Sequence, residues 1–345
     1  MHNVGVIEGF YGNVWSWQER HDMVHFLAQH QFSSYWYAPK ADHNLRKHWY
    51  QNWSVSTLSE LEILSASCKT QDIQLGIGLS PLGLYDEWRK GAGREKLLHR
   101  LQQIALIKPQ GLALLFDDMQ GDLPELAQTQ CDIAHFVADN IDVEQLILCP
   151  SYYSFDPILE QLFGAMPKNY WSDLGAILDS SIELFWTGDQ VISKEYSKEG
   201  LAAITLMFNR KPIIWDNSIV NDGRKTSPFL NVSAMHDVQA LEGATNGVLI
   251  NPMNAQALSQ IPLASLLYAG DASERLQKAL KQQAPELQAA INDCLSLFTI
   301  KGHANLNAND CEKVKSYFAQ SSHPIAKNIM LWLNGDYQFD PLCLT

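Results

Sequence analysis

The amino-acid sequence predicts an α/β protein, a (β/α)8 TIM-like barrel followed by a small C-terminal all-helical appendage. Three observations lead there. Short β-branched or aromatic runs alternate with longer polar, helix-like stretches. Eight such runs occur at a spacing of roughly 30–40 residues, which is the spacing of strand–helix units and the strand count of the barrel. Nearly every run ends in a residue suited to chemistry or ligand binding, and a barrel gathers all eight strand ends on one face.

In order, the runs are "NVGVIEG" (3–9), "FSSYWYAP" (32–39), "IQLGIGLSP" (73–81), "GLALLFDD" (111–118), "EQLILCP" (144–150), "IELFWTG" (182–188), "KPIIWDN" (211–217) and "TNGVLINP" (245–252). Helices are expected at 17–30, 56–70, 93–107, 122–139, 157–165, 193–209, 233–241 and 254–268. The last units are compressed, which keeps a doubly wound sheet as the structural alternative. The functional strand ends are Glu8-Gly9, Lys40, Asp117-Asp118, Tyr152-Tyr153, Thr187, Trp215-Asp216-Asn217 and Asn251. After about residue 270 the pattern turns helix-only, with candidates at 272–298, 309–319 and 324–334. The expected division is a catalytic barrel at 1–270 and a helical region at 271–345.

Composition narrows the partners. A formal charge of −13 repels phosphate backbones and other polyanions, so nucleic acid is a poor partner unless a local basic patch overrides the average. No apolar run reaches the ~18–20 residues needed to span a bilayer. The start "MHNVGVIEGF" lacks the layout of a secretory signal. No membrane association and a cytoplasmic address are expected. The six cysteines are scattered singly with no CxxC pair, which reads as reduced thiols, mostly core, and argues against structural zinc. His21 and His25 stand at i,i+4 without a third ligand and read as a helix face. The stretch "HNLRKH" (43–48) reads as a solvated loop above the barrel, and Gly91 and Gly93 as a helix start.

The sharpest feature is the aspartate pair at the end of "GLALLFDD". Successive strand residues face opposite ways, so one aspartate is expected to turn into a site while the other begins the loop. The bland alternative is a helix N-cap, for which Asp122 is also available. Two carboxyls a few ångströms apart raise the pKa of one of them, leaving one charged and one protonated near neutrality. Such a pair can protonate a leaving oxygen while positive charge develops on a sugar ring. Aromatics near the strand ends, Tyr11, Trp15, Tyr37, Tyr153, Trp186 and Trp215, offer faces for sugar C–H groups or simply fill core.

Seven segments in order, "GVIEGFYGNVW" (5–15), "YWYAPKAD" (35–42), "LLFDDM" (114–119), "CPSYY" (149–153), "LFWTGDQVISKE" (184–195), "WDNSIVND" (215–222) and "NPM" (251–253), resemble the family 84 glycoside hydrolases. Those are the β-N-acetylglucosaminidases that include the O-GlcNAcases. The resemblance implies a retaining exo-acting hydrolase without metal, cofactor or covalent enzyme intermediate, in which the substrate's own acetamido oxygen attacks the anomeric carbon to form an oxazoline. It implies that Asp117 orients the acetamido N–H and that Asp118 is general acid, then general base. Gly9, Lys40, Tyr153, Trp215, Asn217, Asp222 and Asn251 match substrate-binding positions: Gly9 through close backbone approach, Lys40 as a hydroxyl donor, Tyr153 as a donor to the attacking oxygen, Trp215 as a wall around the acetamide methyl. The substrate would be a β-GlcNAc-bearing glycoside, glycopeptide or O-GlcNAc-protein. The sequence departs from the family at Val14, Ala41, Asn44-Leu45-Arg46 and Trp49-Tyr50, which bears on contacts to the aglycone. Two other readings stand beside it, a non-catalytic amino-sugar-binding protein on the same fold and a two-carboxylate glycosidase with Glu8 as nucleophile; Glu8 reads more simply as an ion-paired support. Hyaluronan is disfavoured as a substrate by charge. The oligomeric state is left open.

Overall fold

The computed structural model describes residues 3–337, 339–341 and 343. Among them, eight parallel strands close into a barrel in sequence order: β1 (Val4–Glu8), β2 (Ser34–Tyr37), β3 (Gln74–Leu79), β4 (Gly111–Leu115), β5 (Gln145–Cys149), β6 (Glu183–Trp186), β7 (Ile213–Asp216) and β8 (Gly247–Ile250). The pairing of β1 with β8, Val4 opposite Val248, completes the ring. All-parallel strands are covered on both faces, which is why these segments are apolar along their length instead of alternating. Trp36 of β2 shows how the layers fit. It lies in register with Gly76 of β3, and Gly76 with Gly111 of β4. A Cβ at either glycine would stand 2.1 Å or 2.5 Å from the indole, so the two glycines make room for one large ring.

The outer layer comprises α1 (Trp17–Gln29), α2 (Val55–Thr70), α3 (Leu84–Arg89), α4 (Gly93–Ile107), α5 (Leu126–Asn140), α6 (Ile158–Phe163), α7 (Tyr170–Ile177), α8 (Lys198–Phe208) and α9 (Gln256–Ser265). α1 opens with a reciprocal capping box between Ser16 and Glu19. α3 and α7 fall outside the expected stretches; at six and eight residues they are too short for a clear apolar period.

Two expectations are corrected. The helix expected at 233–241 is only a 3-10 turn, Val238–Leu241. Gly223 and Pro228 interrupt the polar stretch after β7, and Leu230, Val232 and Met235 are buried as an irregular loop. The expected run at 272–298 is two helices, α10 (Ala272–Leu280) and α11 (Pro285–Ser296). Proline has no N–H to continue a helix but suits its first position, so Pro285 starts a new one.

The chain continues with α12 (Ala308–Phe318) and α13 (Pro324–Asn334). These later segments brace the β7–β8 loop. Leu230 N donates to Phe298 O, while His303 N and the Trp332 indole both donate to Pro228 O. No helix among the described residues is long and apolar enough to cross a membrane.

Candidate active site

The C-terminal ends of the strands surround a cavity. Gly9, Lys40, Asp117, Asp118, Tyr153, Trp215, Asn217, Asp222 and Asn251 all line it, and so do Tyr11, Cys149 and Thr187. Of the strand-end aromatics, Tyr11, Tyr153 and Trp215 face this space; Trp15, Tyr37 and Trp186 are buried in packing. Tyr11 was legible within "EGFYG" but carried no distinguishing sign beyond its ring.

Both aspartates enter the cavity, which corrects the expectation that one of them begins the loop. They are only 7% and 8% exposed. The reason is local: Asp118 takes a left-handed backbone with φ of 54°, so strand alternation ends before it. The two carboxyls have different partners. Lys40 Nζ donates to Asp117 Oδ2 at 2.5 Å, whereas Asp117 Oδ1 is buried without a hydrogen-bond partner. Asp118 accepts from two phenols, Tyr11 at Oδ2 (2.7 Å) and Tyr153 at Oδ1 (2.9 Å). Burial, then the charge of Asp117, raises the Asp118 pKa above the ordinary carboxyl value, with Lys40 and Arg46 opposing. Both phenols are held far above their usual pKa, first by burial and then by Asp118, so they remain donors.

Two expected contacts have other partners here. The Tyr153 hydroxyl is on Asp118, and the Lys40 ammonium is on Asp117. Gly9 also has a structural reason: a Cβ there would sit 2.3 Å from Trp215, so the indole occupies the space a side chain would need. From Trp215 a polar chain runs along the wall. The indole N–H and Asn251 Nδ2 donate to Asn217 Oδ1 at 2.9 and 3.0 Å, and Gly9 N donates to Asn251 Oδ1. Next to this polar chain Asp222, from the loop after β7, accepts from Tyr11 N at 2.8 Å; burial pushes its carboxyl up to about 6.

The "HNLRKH" stretch is not a solvated loop. Leu45, Arg46 and Trp49 are buried, and Arg46 donates to the backbone oxygen of Asp118 (3.1 Å) and to Ser80 Oγ (2.7 Å). The cause lies on α4, where Arg100 binds the carbonyls of Asn44, Trp49 and Gln51 and stacks on Trp53. Glu8 stays outside the cavity, fully buried between Arg20, which grips both its oxygens, and the Tyr35 hydroxyl. A nucleophile must reach substrate; Glu8 does not.

A barrel mouth holding a lysine-paired carboxylate beside a carboxyl of raised pKa has the layout of a glycoside hydrolase site. The model of the β-N-acetylglucosaminidase family matches residues 4–298, and the chain belongs to that family. The Protein O-GlcNAcases of Rattus norvegicus and Mus musculus are each 28% identical to it over 260 residues, 72% of this chain and 28% of theirs. The chain thus spans little more than a quarter of the length of these curated relatives. The solved structure of a mutant Thermobaculum terrenum O-GlcNAc hydrolase is 24% identical and superposes with a TM-score of 0.75, covering 96% of this chain and 80% of that one, which supports the shared fold.

Proposed function

We propose that the protein is a retaining exo-β-N-acetylglucosaminidase that removes terminal β-linked GlcNAc by substrate-assisted catalysis. One observation carries this reading: Asp117 lines the cavity and its Oδ1 is a buried acceptor with no donor among the described residues, while the other three oxygens of the aspartate pair are engaged. A buried carboxylate oxygen left without a donor is costly. A substrate acetamido N–H would satisfy it and present the carbonyl oxygen to the anomeric carbon.

The acetamido oxygen bonds to the anomeric carbon as the bond to the aglycone oxygen breaks, and Asp118 transfers its proton to that oxygen. Asp117 stabilises the positive charge on the resulting oxazoline ring, with Lys40 fixing its other oxygen. Asp118, now a carboxylate, takes a proton from water; the water oxygen bonds to the anomeric carbon and the oxazoline C–O bond breaks. Two inversions give retention. Tyr11 and Tyr153 orient Asp118, Trp215 walls the acetamide methyl, and Asn217, Asp222, Asn251 and Gly9 hold the sugar. Glycopeptides and O-GlcNAc-proteins are proposed substrates, and the free thiols Cys68, Cys131, Cys149, Cys294 and Cys311 fit a reducing, cytoplasmic setting.

The test is turnover of aryl N-acetyl-β-D-glucosaminides. Asp118→Ala should slow a poor leaving group roughly a hundredfold or more while sparing an activated one, because a good leaving group needs little protonation. Asp117→Asn should impair both, and a trifluoroacetamido substrate should react slowly because its carbonyl is less basic. Turnover indifferent to the trifluoroacetamide would exclude assistance by the substrate.

A further inference from the structure

We propose that a cationic groove beside the cavity receives the aglycone, and that it selects glycopeptides carrying carboxylates near the glycosylated residue. The inference rests on the hydrolase reading above and goes beyond it to the substrate class.

The groove opens directly from the catalytic cavity: Val191, Ile192, Gly223, Thr226 and Cys343 line both. An aglycone leaving the anomeric carbon toward this side enters it without crossing a wall. Its apolar lining comes from Ile158, Ile192, Phe339 and Pro341. Among the described lining residues its charge comes from Arg224 and Lys225 against one carboxylate, Asp156, whose oxygens accept from Ile158 N and Val191 N.

A backbone turn sets the positions from which the two cations project. Asp222, on the cavity rim, is held by Tyr11 N, and the next residues form a turn closed by Thr226 N donating to Gly223 O at 3.1 Å. Gly223 N in turn donates to Thr226 Oγ1 at 3.0 Å. Arg224 and Lys225 are the two central residues of that turn, exposed, and neither forms an ion pair or side-chain hydrogen bond among the described residues. Arg224 lies over the Phe339 ring at 5.1 Å. In a chain of net charge −13, two adjacent cations without an ion-pair partner among the described residues give the mouth of the site a local field of the opposite sign to the average. A peptide suits this groove better than a second sugar. The Phe339 face that would stack a sugar ring is covered by Arg224, while apolar walls with cations at the rim match an extended chain bearing acidic side chains.

The experiment compares kcat/KM for GlcNAc-serine peptides flanked by glutamate, by glutamine or by lysine, beside 4-nitrophenyl N-acetyl-β-D-glucosaminide, for wild type and the Arg224→Glu/Lys225→Glu double variant. The wild type should prefer the glutamate peptide over the lysine peptide by about tenfold at low salt, with the preference shrinking as salt rises. The double variant should invert that order and leave the aryl glycoside within about twofold, since charge at the rim acts on association. Equal rates on the three peptides, or a loss in the variant that is the same for all of them, would overturn the proposal. So would a wild-type preference for a disaccharide with a uronic acid aglycone over every peptide. Absence of aryl glycoside turnover in the wild type would instead overturn the hydrolase reading.

Discussion

Asp118 combines a left-handed backbone, burial and an adjacent carboxylate, each of which raises its energy. Left-handed φ costs a non-glycine residue roughly 1–2 kcal/mol, and here the Arg46 guanidinium holds the carbonyl of that strained residue. Arg46 also opposes the rise in the Asp118 pKa. Arg46→Ala should therefore lower kcat and move the alkaline limb of the pH profile upward, because losing a nearby cation leaves the acid protonated to higher pH. An unmoved limb would assign Arg46 to support alone. Asp222 gives a second prediction with its sign set by burial. Its pKa rises from 3.8 to about 6 on folding, so its contribution to stability is complete below about pH 4 and lost as pH rises through about 6. Asp222→Asn should stabilise the fold at pH 8, by up to on the order of 3 kcal/mol, and not at pH 4. Thermal melts at the two pH values check it.

At the scale of elements, the loop after β2 is clamped by a helix that contributes nothing else to the site. Burial lowers the Arg100 pKa to about 10, yet three carbonyls of the 44–51 segment depend on its N–H groups. Arg100→Leu should cost roughly 2–4 kcal/mol in urea denaturation and also reduce kcat, because Arg46 rides on that loop. The barrel wall supplies a contrasting case. Gly76→Ala places a Cβ where the Trp36 indole lies, and overpacking of this kind costs roughly 1–3 kcal/mol. It should lower the urea midpoint while leaving KM unchanged, since Trp36 does not line the cavity.

At the scale of the whole molecule, the barrel and the later helices share one apolar cluster, from Val4 to Trp332. Trp332 is buried against Phe298 at 5.5 Å between ring centroids and hydrogen-bonded to Pro228, in the loop that carries Asp222 and Arg224. Calorimetry should therefore show one cooperative transition. Trp332→Ala should destabilise the fold by roughly 3–5 kcal/mol and weaken binding of a GlcNAc-like inhibitor through loss of that brace. Two separate transitions would contradict the shared core.

The strand runs and the barrel were legible from sequence because each rests on local pattern, apolar runs of strand length with helical spacers between them; the strand-end set mixed residues that line the cavity, such as Lys40 and Tyr153, with Glu8, Tyr152 and Asp216, which do not, and Asp222 came only from the family resemblance. Asp117 and Asp118 stood out as adjacent carboxyls after an apolar run. What sequence could not supply was the identity of partners across the ring. Lys40 pairs with Asp117, two tyrosines from β1 and β5 strand ends converge on Asp118, and Arg46 supports it from a stretch whose charged letters read as solvent-exposed. Those contacts join residues 35 to 107 positions apart, and only closure of the barrel brings them within hydrogen-bond distance. The same holds for the irregular β7–β8 loop, whose shape comes from the later helices packed against it and not from its own propensities. Local periodicity determined where the strands lie and which residues stand at their ends; burial and long-range pairing decided which of those reach the cavity and which only hold the others still.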